Sequence, residues 1–191
     1  MNVRDLVADE PRRTRELSTA FAKAFQAGDL EGMARLWAPL EETVLYGMRH
    51  AFRQCAALQS VPENAKEAFL RMWLSNGDSL RQAVSNDLIL VKALRVMLPS
   101  YTGSAMTIYR GESKRNRWWQ TYGASWSTDI EVARGFARSR AKMYEGGAVL
   151  LRTEAPTEAI VLHINDFVED ECIVDRRLLG RVEVLERYPN A

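Results

Sequence analysis

Apolar residues along the first hundred positions recur at helical spacing. Leu17, Phe21 and Phe25 fall four residues apart, on one face of a helix that the spacing ends near Gly28. Pro39 is expected to open a second stretch, in which Val44, Met48, Phe52 and Cys55 keep the same rhythm. Pro62 opens a third, carrying Phe69 and Trp73 and stopping near Gly77, and the apolar run 87–97 is a fourth that Pro99 closes. The aromatic residues of this half read as core packing, and none of its motifs suggests catalysis.

Beyond Pro99 the pattern shortens. Segments 106–109, 148–151, 159–164, 172–174 and 181–185 are brief runs with β-branched residues, the signature of strands. One helix interrupts them. Thr128 and Glu131 form a capping box, and Val132, Ala133, Phe136 and Ala137 give the helix an apolar face. No repeat or long linker separates the halves. The expected class is therefore α+β, with a helical subdomain over 1–100 and a mostly β core over 101–191, packed as one unit.

Charge and rare residues narrow the function. The 191 residues carry 26 Lys plus Arg against 25 Asp plus Glu, a net charge of +1, which argues against holding nucleic acid by bulk electrostatics. Only a local basic patch is left to that role. Two cysteines, Cys55 and Cys172, and two histidines, His50 and His163, exclude a zinc finger or a disulfide framework. No apolar run approaches the roughly 20 residues of a membrane span, and the charged stretch 1–15 is unlike a secretory signal. The expectation is a cytoplasmic protein without a membrane partner; delivery into another cell by a specialised secretion system would leave no mark here. Phosphate-binding glycine loops, nucleophile elbows and zinc-protease motifs are all missing.

Three polar clusters stand at strand positions. In Tyr109-Arg110-Gly111-Glu112, an arginine offers a planar fork of donors to a phosphate, and the glycine lets backbone approach a ligand. In Ser125-Trp126-Ser127, the two hydroxyls share one strand face and Trp126 points to the other. In Glu169-Asp170-Glu171, two carboxylates on one face lead into an apolar strand. Singly, each also suits a surface ion pair, a polar edge strand or a solvated loop.

Together and in this order, the clusters resemble the arginine-serine-glutamate class of ADP-ribosyltransferases, a family of bacterial toxins, phage enzymes and vertebrate ecto-enzymes. Its signature is an aromatic-Arg strand, Ser-Thr-Ser, and Glu-x-Glu entering a later strand. Trp126 stands where the family has the middle Thr. Val132-Ala133 and Phe136 match an inward-packing helix that follows the serines, and the resemblance spans roughly 105–188. Rival branches of the superfamily carry a His where Arg110 stands.

The resemblance implies a split β-sandwich of two small, mostly antiparallel sheets around an NAD+ cleft. It implies a mono-ADP-ribosyltransferase in which NAD+ is the co-substrate and no metal takes part. Glu171 would hold the nicotinamide ribose and Ser125 would orient Glu171. Ser127 would help hold NAD+, Arg110 would bind a phosphate, and the Gly111 backbone would meet the carboxamide. Glu169 would engage the acceptor, favouring an arginine on a target protein, and Phe167 matches the aromatic of the target-recognition turn. Trp118, Trp119 and Tyr122, with Arg115 and Arg117, would border the cleft or contact a target, a nucleic-acid acceptor being the lesser alternative. A toxin of this kind would also have an immunity or antitoxin protein as partner. Two other readings stay open: an NAD+ glycohydrolase using the same residues, and a catalytically silent scaffold of the same fold.

Overall fold

The computed structural model describes residues 3–43, 46–165 and 170–190, which fall into two compact units, Met1–Pro99 and Ser100–Ala191. Five helices of the described residues build the first: α1 (Val3–Ala27), α2 (Leu30–Glu41), α3 (Gly47–Cys55), α4 (Glu63–Val84) and α5 (Asp87–Met97). The rhythm of α1 buries Phe21 and Phe25 completely, and Gly28 ends it in left-handed backbone at φ 69°. Phe25 meets Phe69 edge-on at 5.8 Å, and Phe69 meets Phe52 at 6.0 Å, so one aromatic knot ties α1, α3 and α4. Each fully buried Phe contributes about 2–3 kcal/mol of transfer energy.

Two proline and glycine signals work differently from their expectation. Pro39 opens no helix; it sits in the last turn of α2, whose start is set by Asp29 accepting from the Gly32 N–H at 2.8 Å. Near its end the helix loses only one backbone donor to the proline. The break falls later, where Thr43 Oγ1 donates to the Leu40 carbonyl and accepts from the Gly47 N–H. Val44 lies outside the described residues. Gly77 does not stop α4 either. Leu80 and Val84 continue the buried stripe of Phe69 and Trp73, and a Cβ at Gly77 would stand 3.2 Å from the Trp73 ring. The glycine makes room for an indole instead of ending a helix.

Among the described residues the second unit has six strands: β1 (Met106–Ser113), β2 (Ser125–Ser127), β3 (Ala148–Ala155), β4 (Ile160–Ile164), β5 (Glu171–Val174) and β6 (Glu183–Tyr188). Between them lie α6 (Lys114–Trp119) and α7 (Ile130–Met143). The class is α+β. In place of two separate sheets, the described strands form one antiparallel sheet in the order β4-β5-β2-β1-β3-β6. Its seam is uneven. β1 and β3 pair from Met106↔Ala155 to Ser113↔Ala148, whereas β1 and β2 share the single rung Tyr109↔Ser127. What joins the two halves is mainly apolar: Trp126, Cys172 and Val174 from one side cluster with Ile108, Val149 and Leu151 from the other.

α7 packs on the opposite sheet face through Ala133, Ala137 and Ala141, all buried at i, i+4 spacing. Phe136, expected to pack inward, is 47% exposed. Small residues set the close approach of this helix to β1, and a phenyl ring would not fit beneath it. The cap is also shifted by one residue from the expected Thr128. Asp129 is the N-cap and accepts from the Glu131 N–H at 2.7 Å, while the Thr128 N–H is committed to the Asp170 carbonyl at 3.1 Å. No helix of the described residues is long and apolar enough to cross a membrane.

Candidate active site

Arg110, Ser125 and Glu171 come from three strands that are neighbours in the sheet, β1, β2 and β5. The β2–β5 register sets Ser127 opposite Glu171 and Ser125 opposite Ile173, so both serines and Glu171 share a face. Trp126 points to the other face, 2% exposed, with its indole N–H donating to the Gly123 carbonyl at 3.1 Å. The Ser125 hydroxyl donates to Glu171 Oε1 across the diagonal of the ladder. Arg110 Nη1 donates to the Ser125 carbonyl. One hydrogen-bonded path thus runs from the guanidinium through Ser125 to the carboxylate.

The thin seam explains how Arg110 gets there. Beyond Tyr109↔Ser127 no further rung joins β1 to β2, so the Ser125 carbonyl takes a side-chain donor in place of a ladder N–H. The guanidinium lies so close to Gly123 that a Cβ there would stand 2.5 Å from Nη2. Glu112, whose side chain is fully buried, accepts from Arg110 Nε at 2.8 Å, from the Ser113 N–H at 2.9 Å and from Asn116 Nδ2 at 3.0 Å. Arg140 of α7 stands 3.7 Å from the same carboxylate. Burial alone would raise the Glu112 pKa; the charge and hydrogen bond of Arg110, with Arg140 and the Ser113 N–H, outweigh it and hold it below the ordinary value. The acid is ionised and braces the arginine.

The remaining expected residues fall in different places. Gly111 lies under α7, where a Cβ would stand 2.2 Å from the Ala137 nitrogen and 2.6 Å from the Ala133 carbonyl oxygen. Its missing side chain admits a helix. Ser127 is 5% exposed, and its hydroxyl accepts from the Asp129 N–H at 3.0 Å, inside the turn that starts α7. Tyr122 is buried, with its hydroxyl accepting from Arg117 at 2.8 Å. Glu169 and Phe167 lie outside the described residues. Asp170, just before Glu171, has left-handed backbone at φ 48°, and its carboxylate stands 3.8 Å from His163 Nε2. Cys172, on the far face, is an inert thiol, pushed up to about 12 by burial and by the charge of Glu171.

Sequence reasoning gave no role to Glu112, Gly123 or Arg140. A signal for Glu112 was present: it stands two residues after Arg110, hence on the same side of the strand. Arg140 had none, because only the packing of α7 carries it there. The helical unit has its own cavity of about 410 Å³, lined by Leu30, Met33, Trp37, Ala68 and Met72 among others, with no acid, base or nucleophile on its wall. Among the described residues no group of three or more His, Cys, Asp or Glu is placed to hold a metal ion. No family model, curated protein or solved structure matches this chain.

Proposed function

We propose that this chain is a mono-ADP-ribosyltransferase of the arginine-serine-glutamate class, acting on an arginine of a target protein. The observation that carries the reading is the path from Arg110 through Ser125 to Glu171, three residues far apart in sequence and joined by hydrogen bonds. The single rung between β1 and β2 suits the split sheet that this class requires, with the gap as the place where NAD+ would enter. Trp126 faces away from the serines, so its departure from the family's Thr leaves the motif face intact.

In this reading the bond from the nicotinamide-bearing ribose carbon to the ring nitrogen breaks, and its electron pair leaves with neutral nicotinamide. Positive charge develops at the ribose carbon. Glu171, held by Ser125, stabilises that charge through the ribose 2′-hydroxyl. A guanidinium nitrogen of the target then attacks the carbon and gives its proton to Glu169. Arg110 fixes the Ser125 backbone on one side; to meet an NAD+ phosphate its Nη2, which lies against Gly123 in a side chain 12% exposed, would have to be uncovered. The brace from Glu112 holds that guanidinium in one orientation before substrate arrives, so less ordering is left to binding.

The test is incubation of the protein with labelled NAD+ and a cell lysate. Label on a protein, reduced about 100- to 1000-fold in Glu171→Gln and strongly in Glu169→Ala, is the expected result. Nicotinamide release without label, lost only in Glu171→Gln, would replace transfer by NAD+ hydrolysis. Neither product, with no heat of NAD+ binding, would leave a silent scaffold.

A further inference from the structure

α6 is a helix of six residues with no buried residue, yet it ends in two tryptophans, Trp118 at 81% exposed and Trp119 at 66%. Large aromatic side chains are seldom left in water to this extent. Nor is the helix loose. Ser113 caps it by accepting from the Asn116 N–H at 3.1 Å, and Asn116 Nδ2 donates to Glu112. Arg117 donates to the Tyr122 hydroxyl at 2.8 Å and to the Val182 carbonyl at 3.4 Å. Hydrogen bonds, not burial, anchor the helix that carries the two indoles.

The surroundings identify what would meet them. No acidic residue occurs from 113 to 128. Among the described residues neither Lys114 nor Arg115 has an ion-pair partner, and Arg181, beside the Val182 that Arg117 touches, is 88% exposed and held only by a long surface pair with Glu183 at 3.7 Å. Tryptophan beside arginine also marks protein hot spots, but the desolvated core of such a patch is depleted of charge and of lysine, whereas the neighbours on α6 are cations and amides. A membrane-seeking helix needs a continuous apolar face, whereas adjacent residues on a helix point about 100° apart. Two separate π faces next to unneutralised cations match stacked bases and their phosphates.

We propose that α6 is a binding site for single-stranded nucleic acid, with Trp118 and Trp119 as stacking platforms and Lys114 and Arg115, joined by Arg181, as phosphate contacts. The site is independent of the transferase reading and stands or falls without it. It is also modest, since a chain of net charge +1 adds little long-range attraction.

The experiment titrates the full chain with mixed-sequence RNA and DNA oligonucleotides of about 16 nucleotides, following tryptophan quenching. Saturable quenching is expected, weakened about tenfold in Trp118→Ala and again in Trp119→Ala, with Trp118→Phe retaining most of the affinity. Two or three phosphate contacts give a slope of log affinity on log salt of about −1.5 to −2, a roughly tenfold loss from about 50 to about 200 mM salt. Lys114→Ala with Arg115→Ala should flatten that slope. Duplex of the same sequence should bind more weakly, and Glu171→Gln should bind like the parent. No quenching at low salt, or affinity indifferent to both tryptophan variants, would overturn the proposal. So would saturable binding of an acidic protein through these tryptophans without binding of the oligonucleotide.

Discussion

Removing the Glu112 carboxylate tests the site's internal support without any assumption about substrate. Glu112→Ala takes the acceptor from Arg110, whose side chain is 12% exposed, and from the Ser113 N–H and Asn116. Breaking one side of a buried ion pair costs about 3–5 kcal/mol, because the surviving charge stays buried. A unit the size of Ser100–Ala191 has roughly 5–14 kcal/mol of stability in all, so the loss is a large share. With a urea dependence of about 2 kcal/mol per molar, the midpoint should fall by about 2 M. Glu112→Gln keeps the volume but turns an amide donor toward donors, and should lie between the parent and Glu112→Ala. Replacing both partners, Arg110→Met with Glu112→Leu, should recover much of the loss. The assay is equilibrium urea unfolding at pH 7 by far-ultraviolet circular dichroism and tryptophan fluorescence. A Glu112→Ala midpoint within about 0.3 M of the parent would refute the ion-pair account. The pH dependence has a definite sign. Glu112 is held below its ordinary value of 4.5, so its stabilisation is complete above that value and disappears as pH falls through the lower folded value. The gap between parent and Glu112→Gln should therefore narrow as the pH falls below 4.5.

Three further outcomes follow from the packing. Gly111→Ala drives a methyl into the α7 backbone and should cost about 1–3 kcal/mol or more, whereas Gly135→Ala, with open space at its Cβ in the same helix, should stabilise by about 0.5–1 kcal/mol; thermal melts of the two read opposite signs. Asp129→Ala removes the α7 cap and should cost about 1 kcal/mol, seen as a Tm of the Ser100–Ala191 unit lower by about 4–8 °C, and no shift would place the cap elsewhere. Cys55 and Cys172, both pushed up to about 12 chiefly by burial, should resist a thiol reagent at pH 8 until denaturant is added; fast labelling of the folded chain would contradict their burial.

What the sequence determined by itself was periodicity and identity. The stripe of Phe21, Phe25, Phe69 and Trp73 foretold a helical half through the 3.6 repeat, and the short continuous apolar run 148–151, buried at all four positions, foretold a strand by its length. The alternation of Ser125, Trp126 and Ser127 likewise foretold which side chains share a face. Where breaks fall was less legible. Pro39 and Gly77 carry strong local signals, but an indole seated on Gly77 and a cap at Asp29 overrode them.

Tertiary structure alone decided the site. Ser125 and Glu171 lie 46 positions apart, and only the β2–β5 register brings hydroxyl to carboxylate. Glu112 looks like a surface acid in the sequence; it becomes the fully buried brace of Arg110 because β1 continues past Tyr109 and α7 carries Arg140 to it. Gly111 invites a ligand in the sequence and receives a helix in the fold. Local patterns report which face a residue takes within its own element. Contacts between elements depend on register and on which side chains are small enough to allow close approach, and a linear pattern does not encode either.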